Sequence, residues 1–118
     1  SYQKLEVRKR AMNFVDAMYE ITKTFPKMEF ALIDQIKRAA NSIAANIAEG
    51  DQRNTNKENI NFLYIAKGSA AEVQTHLLIA QRQGFITKNK SDTLDEEITI
   101  ILKMLSSLIR YKKTHAKP

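Results

Sequence analysis

Apolar side chains recur at alternating steps of three and four residues in four successive segments of the chain. This spacing places each set on one face of an α-helix and is typical of helices that pack side by side. The predicted core positions are Val7, Ala11, Phe14, Met18, Ile21 and Phe25; Ile33, Ile36, Ala40, Ile43 and Ile47; Leu63, Ala66, Ala70, Val73, Leu77 and Ala80; and Leu94, Ile98, Ile101, Leu105 and Leu108. The pattern therefore predicts four amphipathic helices.

Few residues in the chain favour turns, since the 118 residues include only 3 Gly and 2 Pro. We expect Pro26 to end a first helix that begins near Leu5, because the residue before a proline disfavours helical geometry. The second helix is expected from about Glu29 to Glu49, with Gly50 as its stop.

The third helix is predicted to begin with a capping box at residues 55–58, Thr-Asn-Lys-Glu, and to end at Gly84. The fourth is expected to begin at a Ser91 or Asp92 cap, and its apolar stripe runs from Leu94 to Leu108, with Ile109 adding width. Acidic residues in or near its first turn suit the helix dipole: Asp95, Glu96 and Glu97.

Short links make consecutive helices antiparallel neighbours, so the sequence predicts an all-α, up-and-down, antiparallel four-helix bundle. We expect one domain over residues 1–118, with a basic tail from about residue 110 that frays.

Composition argues against several classes of protein. The chain has no Cys, which removes disulfides and thiolate chemistry, and it has no apolar run of membrane-spanning length. The absence of Cys favours a cytoplasmic protein, and the first residues lack the apolar region of a signal peptide. We also expect no membrane contact. Ser42 and Ser69 are predicted in the middle of helices, where a serine hydroxyl usually bonds to the preceding turn of backbone and is not a nucleophile. A di-iron bundle needs two pairs of Glu and His on separate helices, and the chain offers only Glu72 with His76. We expect no catalytic residue, metal or cofactor, and hence no enzyme.

Polar residues form a stripe on the second helix at steps of three and four. Pairing the second and third helices about their turn places Arg38 opposite Gly68 and one turn from Glu72. We therefore predict an Arg38–Glu72 ion pair, with close backbone approach at Gly68. The predicted network, Arg38, Ser42, Asn46, Glu49 and Glu72, is interpreted as fixing helix register or subunit contacts. A ligand groove is the alternative.

The net charge is +6, from 19 Lys and Arg against 13 Asp and Glu, which favours an anionic partner. Antiparallel order brings the start of the first helix, the turn between the second and third, and the tail to one end of the bundle. The residues predicted to contact nucleic acid there are Arg8, Lys9, Arg10, Arg53, Lys57, Lys112 and Lys113. Such a surface suits phosphates, and Tyr2 and Tyr111 are candidates for base stacking. The alternative is that these charges only keep the protein soluble.

Two segments carry a family resemblance: DQIKRAANSIAANIAEG at 34–50 and NFLYIAKGSAAEVQTHLLIA at 61–80, joined by FP at 25–26. With them the chain resembles the bacterial four-helix-bundle family named for the 23S ribosomal RNA intervening sequence, also called S23. It is more distantly similar to the accessory variability determinant proteins of diversity-generating retroelements.

The resemblance implies a homopentameric barrel of bundles with a basic surface. In the retroelement relatives, such a barrel binds nucleic acid and a reverse transcriptase. We therefore expect a non-enzymatic homo-oligomer that binds nucleic acid, RNA ahead of DNA. The alternative is an adaptor ring that recruits a protein such as a polymerase, a reverse transcriptase or a ribosomal component, without touching nucleic acid. The third hypothesis is a purely structural oligomer that has no role in binding nucleic acid.

Overall fold

The computed structural model describes residues 2–115, which contain four α-helices and no strand. The helices are α1 (Tyr2–Thr22), α2 (Phe30–Asp51), α3 (Asn56–Arg82) and α4 (Lys88–Thr114). A single 3₁₀ turn, Lys27–Glu29, follows Pro26 and leads into α2. The predicted all-α, four-helix fold is confirmed.

Each helix packs against two neighbours: α1 contacts α2 and α4, and α3 contacts α2 and α4. The resulting antiparallel bundle is elongated, with extents of 51 × 23 × 19 Å. Both the start of α1 and the end of α4 therefore lie at the same end as the α2–α3 turn. This arrangement decides which charged residues become neighbours.

The heptad positions form the core. Every predicted position of α1 and α3 is buried, and in α2 and α4 only Ile33 and Leu94 are half-buried. At the α1–α2 and α3–α4 turns, Phe25 and Phe85 meet with ring centroids 5.8 Å apart and close one end of the core.

Two helix ends follow the predicted signals. The Thr55 hydroxyl accepts a hydrogen bond from the Glu58 backbone N–H, as expected for the N-cap of α3. After α3, Gly84 has φ +82 and the Phe85 N–H donates to the Ala80 carbonyl, a bond typical of a glycine-terminated helix. The capping threonine and the terminal glycine were therefore correctly predicted.

Four predicted boundaries are wrong. The first helix begins at Tyr2 and not near Leu5. Gly50 does not stop α2, which continues to Asp51. The N-cap of α4 is Thr87, whose hydroxyl accepts from the Lys90 N–H; Ser91 is buried one turn inside the helix, and no acidic residue lies in its first turn. Residues 110–114 belong to α4, because the buried Ile109 anchors this last stretch on the bundle. The predicted tail beyond residue 115 lies outside the described residues.

Candidate nucleic-acid interface

Charge is distributed unevenly along the bundle axis. Dividing each helix at its midpoint gives a basic half (residues 2–12, 41–69 and 101–115) and an opposite half (residues 13–40 and 70–100). The basic half holds 11 Lys and Arg against 4 Asp and Glu, whereas the opposite half holds 7 against 9. The net formal charges are thus +7 and −2, so the positive potential is concentrated at one end of the molecule.

Cations from two helices surround one carboxylate at the tip of the basic half. Asp51, at the end of α2, lies 3.3 Å from Lys4 Nζ and 3.5 Å from an Arg8 guanidinium nitrogen. Lys112 of α4 is half-buried nearby. Burial lowers the pKa of Lys112, the positive charge of Lys4 lowers it further, and Asp51 partly opposes both. A phosphate would relieve the repulsion among these cations.

A second cluster of cations surrounds the exposed ring of Tyr64 on α3. Lys113 Nζ donates a 2.7 Å hydrogen bond to the Tyr64 hydroxyl. That bond is the main reason why the pKa of Tyr64 is lowered, with smaller contributions from the charges of Lys113 and Lys67. The Asn56 amide also reaches the Lys112 carbonyl at 3.5 Å, so the end of α4 is held on the start of α3.

The predicted contact residues do not form one uniform cluster. Arg10 is directed along the bundle to carboxylates of Glu6 and Glu97, at 3.2 and 3.1 Å. Arg53 pairs with Glu49 and lies 4.7 Å from the Phe62 ring centroid. The other predicted residues have the following places: Arg8 and Lys112 lie around Asp51, Lys113 lies beside Tyr64, and Lys9 and Lys57 are exposed in the basic half.

Sequence reasoning missed Lys4, Lys67 and Tyr64. Lys4 precedes the predicted start of the first helix, and its spacing of four residues from Arg8 is the signal that finds it. Lys67 lies one turn after Tyr64, which is the corresponding signal on α3. Of the two predicted stacking residues, Tyr2 is 79% exposed, while Tyr111 stacks on His115 with ring centroids 4.0 Å apart.

The predicted polar network is only partly correct. The hydroxyls of Ser42 and Ser69 lie 2.7 Å apart across α2 and α3, and the Asn46 amide donates to the Ser42 hydroxyl at 3.0 Å. The expected Arg38–Glu72 pair is wrong. Arg38 instead binds Asp34 at 2.8 Å on an exposed face.

Glu72 and Glu49 likewise have partners on their own helices: Glu72 faces His76 at 3.2 Å, and Glu49 pairs with Arg53. In all three pairs the partner is four residues away on the same helix, a spacing that brings side chains together. Close approach at Gly68 is also wrong, since a Cβ there would have no neighbour within 4 Å. The tight contact lies at Gly50, where a Cβ would be 3.1 Å from the Cβ of Phe62.

Among residues 2–115, no group of three or more His, Asp or Glu side chains is arranged to hold a metal ion. Nor does any helix in this part of the chain have the length and apolarity needed to cross a membrane.

The fold and the charge distribution define an all-α, four-helix-bundle protein with one strongly basic end. A sequence model of the family described as 23S rRNA-intervening sequence protein matches residues 3–107, so the chain belongs to that family. The resemblance carried by residues 34–50 and 61–80 is thereby confirmed.

The chain is also similar to a solved structure, the crystal structure of a protein with unknown function from the S23 ribosomal protein family of Bacteroides thetaiotaomicron VPI-5482. The two share 28% sequence identity over 92% of this chain and 98% of the other, with a TM-score of 0.87. Among curated proteins, none matches the sequence.

Proposed function

We propose that this protein is a non-enzymatic homo-oligomer that binds nucleic acid, RNA ahead of DNA, through the phosphates that its basic half attracts. The observation that carries the proposal is the division of charge into a half of +7 and a half of −2. Lys and Arg attract phosphates without reading base sequence, and binding releases the counterions of the nucleic acid. RNA is placed first because the family is named for a ribosomal RNA sequence.

The local contacts support the same role. Lys4, Arg8 and Lys112 share one carboxylate, so the cluster keeps an excess of positive charge. Repeating this end around a ring would sum the fields of several copies. A phosphate backbone crossing the ring would then contact several subunits at once, which raises affinity without any new kind of contact.

Assembly of identical copies is supported by an outward row on α3. Ile65 and Ile79 are 50% and 40% exposed, and Gly68 lies between them. A glycine inside a helix lowers the stability of the folded protein by about 0.5–1 kcal/mol relative to alanine. Nothing in the bundle requires it at this position, since a Cβ would touch no other atom within 4 Å. A second copy that packs closely over α3 supplies a reason.

The assembly test uses Gly68→Arg, with the exposed Glu96→Arg on α4 as the control. We expect the first variant to keep the helical circular dichroism spectrum but to lose oligomeric mass in light scattering, while the control keeps both. Full mass for Gly68→Arg would show that this face is not a subunit contact.

The binding test is fluorescence anisotropy with a labelled structured RNA and a labelled duplex DNA, each at low and at physiological salt. Phosphate binding predicts a log–log salt slope of about −0.9 per neutralised phosphate on duplex DNA, and about −0.7 on a single strand. Absence of binding at low salt would overturn the proposal.

The adaptor ring is the second candidate, and one observation favours it. Met28 and Phe30, at the end opposite the basic tip, are 78% and 74% exposed. Exposed apolar side chains close together are typical of protein contacts. An adaptor held by these residues would bind its protein partner with little dependence on salt, and neutralising the basic half would leave that binding unchanged.

A further inference from the structure

Tyr64 places an aromatic ring within the basic half. Its side chain is 45% exposed, on the side of α3 that adjoins the end of α4. Lys113 Nζ lies 5.2 Å from the ring centroid, and Lys67 Nζ lies 5.8 Å from it. The ring is therefore flanked by ammonium groups from two different helices.

The ring is also held in place. The 2.7 Å bond from Lys113 orients the phenol, and the preceding residue, Lys112, is held on α3 by the 3.5 Å contact between its carbonyl and the Asn56 amide. An aromatic side chain that is already oriented loses less conformational entropy when a ligand stacks on it. Tyr111 differs in this respect, since the His115 imidazole already lies against it, with an angle of 17° between the ring planes.

We propose that Tyr64 is a stacking site for an unpaired nucleobase and that Lys67 and Lys113 bind the phosphates adjoining that nucleotide. This inference rests on the proposed binding of nucleic acid, and it names the class of ligand: single strands, or the single-stranded loops of a folded RNA. Sites that combine an aromatic platform with flanking cations bind single strands in this way, whereas the faces of paired bases are occupied by their neighbours in a duplex.

A structural role is the competing interpretation of the same contacts. Lys113 and Tyr64 would then serve only to fasten the last turns of α4 to α3. The two roles depend on different atoms, because fastening needs the hydroxyl and stacking needs the ring. Tyr64→Phe removes the hydroxyl and keeps the ring, whereas Tyr64→Leu removes both.

A matched control exists in the opposite half. Tyr19 is 37% exposed, has Lys37 Nζ 4.9 Å from its ring centroid, and accepts a hydrogen bond from Asn41. Tyr19→Leu therefore removes a similar tyrosine–lysine pair away from the basic half.

The experiment measures the dissociation constants of the wild type and these variants for a short labelled oligouridylate, an abasic ribose-phosphate strand of equal length, and a duplex of equal length. Circular dichroism checks that each variant is folded. We expect Tyr64→Leu to weaken oligouridylate binding roughly 5- to 150-fold, the range for loss of one base–aromatic stack. Tyr19→Leu should bind like the wild type, and Tyr64→Phe, which keeps the ring but loses the bond that orients it, should weaken binding much less than Tyr64→Leu. The abasic strand should bind the wild type more weakly than oligouridylate and be indifferent to Tyr64→Leu.

The opposite results are equally clear. If wild-type protein binds the abasic strand as tightly as oligouridylate and Tyr64→Leu changes neither, the stacking site is wrong while phosphate binding stands. If Tyr64→Phe weakens binding as much as Tyr64→Leu, the hydroxyl matters and the role is structural. If the wild type binds none of the three probes at low salt, both the stacking site and the proposed function are overturned.

Discussion

The Asp51 carboxylate lies 3.3 Å from Lys4 Nζ at the tip of the bundle, and the same carboxylate also faces Arg8. Its side chain is only 13% exposed, so water screens these contacts less than it screens a surface pair. Asp51 therefore holds the cations of α1 in place and at the same time reduces the positive charge that they present to an anion.

Replacing Asp51 by Asn is expected to tighten nucleic-acid binding, because it removes one negative charge from the basic tip. We expect the affinity for nucleic acid to rise roughly 2- to 10-fold at low salt, which is the size of effect that one nearby, partly screened charge produces. The control is Asp34→Asn, which releases Arg38 in the opposite half and should leave the affinity unchanged. Equal affinities for both variants in anisotropy titrations would mean that Asp51 does not face the ligand.

The hydroxyl pair between α2 and α3 predicts non-additive effects on stability. Ser42→Ala or Ser69→Ala leaves the other hydroxyl without its 2.7 Å partner, and Ser69 is only 9% exposed. We expect each single variant to lose about 1–2 kcal/mol of the free energy of unfolding. The double variant should lose less than the sum of the two. Urea denaturation measures all three, and strictly additive losses would show that the hydroxyls do not interact.

Gly50 lies inside α2, where space rather than a turn explains its presence. A Cβ there would lie 3.1 Å from the Phe62 Cβ and 3.4 Å from the Asn59 backbone carbonyl oxygen, neither of which can move without shifting α3. Gly50→Ala should therefore destabilise the bundle by about 1 kcal/mol, despite the higher helix propensity of alanine. A thermal denaturation midpoint equal to or above that of the wild type would contradict this close packing.

The Lys113–Tyr64 bond predicts an early tyrosine titration. The ammonium group stabilises the phenolate, so the pKa of Tyr64 lies below the ordinary value of 10.0. The absorbance change of the wild type minus that of Tyr64→Phe isolates this group and should have its midpoint below 10.0. Lys113→Met should move that midpoint upward. A difference titration centred at or above 10.0 would show that the hydrogen bond is not formed in solution.

The core could be predicted from the sequence because the buried face of a helix requires apolar residues every three or four positions, and this spacing is visible within each segment of the chain. The steps of three and four through Phe14 and Val73 identify the buried face of α1 and α3 without knowledge of any partner. The caps were harder to assign: Thr87 and Ser91 are both good N-cap residues, and only the position of Ser91 against the core places it inside α4.

The polar contacts could not be predicted in the same way. A long side chain such as Arg38 or Arg10 reaches several acceptors, and the choice depends on the rotation of each helix about its axis. Arg38 turns outward to Asp34, whereas Arg10 crosses to Glu97 on α4. Tyr64 was counted as neither core nor site, because its significance comes from Lys113, which is 49 residues away along the chain.

Two charge-neutralising double variants test whether the basic half is the surface that binds nucleic acid. One is the double variant Lys112→Gln with Lys113→Gln; the other, in the opposite half, is Lys27→Gln with Lys90→Gln. Both lower the net charge equally, so any difference in RNA affinity reports position and not total charge. We expect the first double variant to bind RNA more weakly and with a shallower salt slope, by about 0.7 for each phosphate of a single strand that is no longer neutralised. The second double variant should bind like the wild type. Equal reductions in affinity for the two pairs, or no reduction for either, would contradict it.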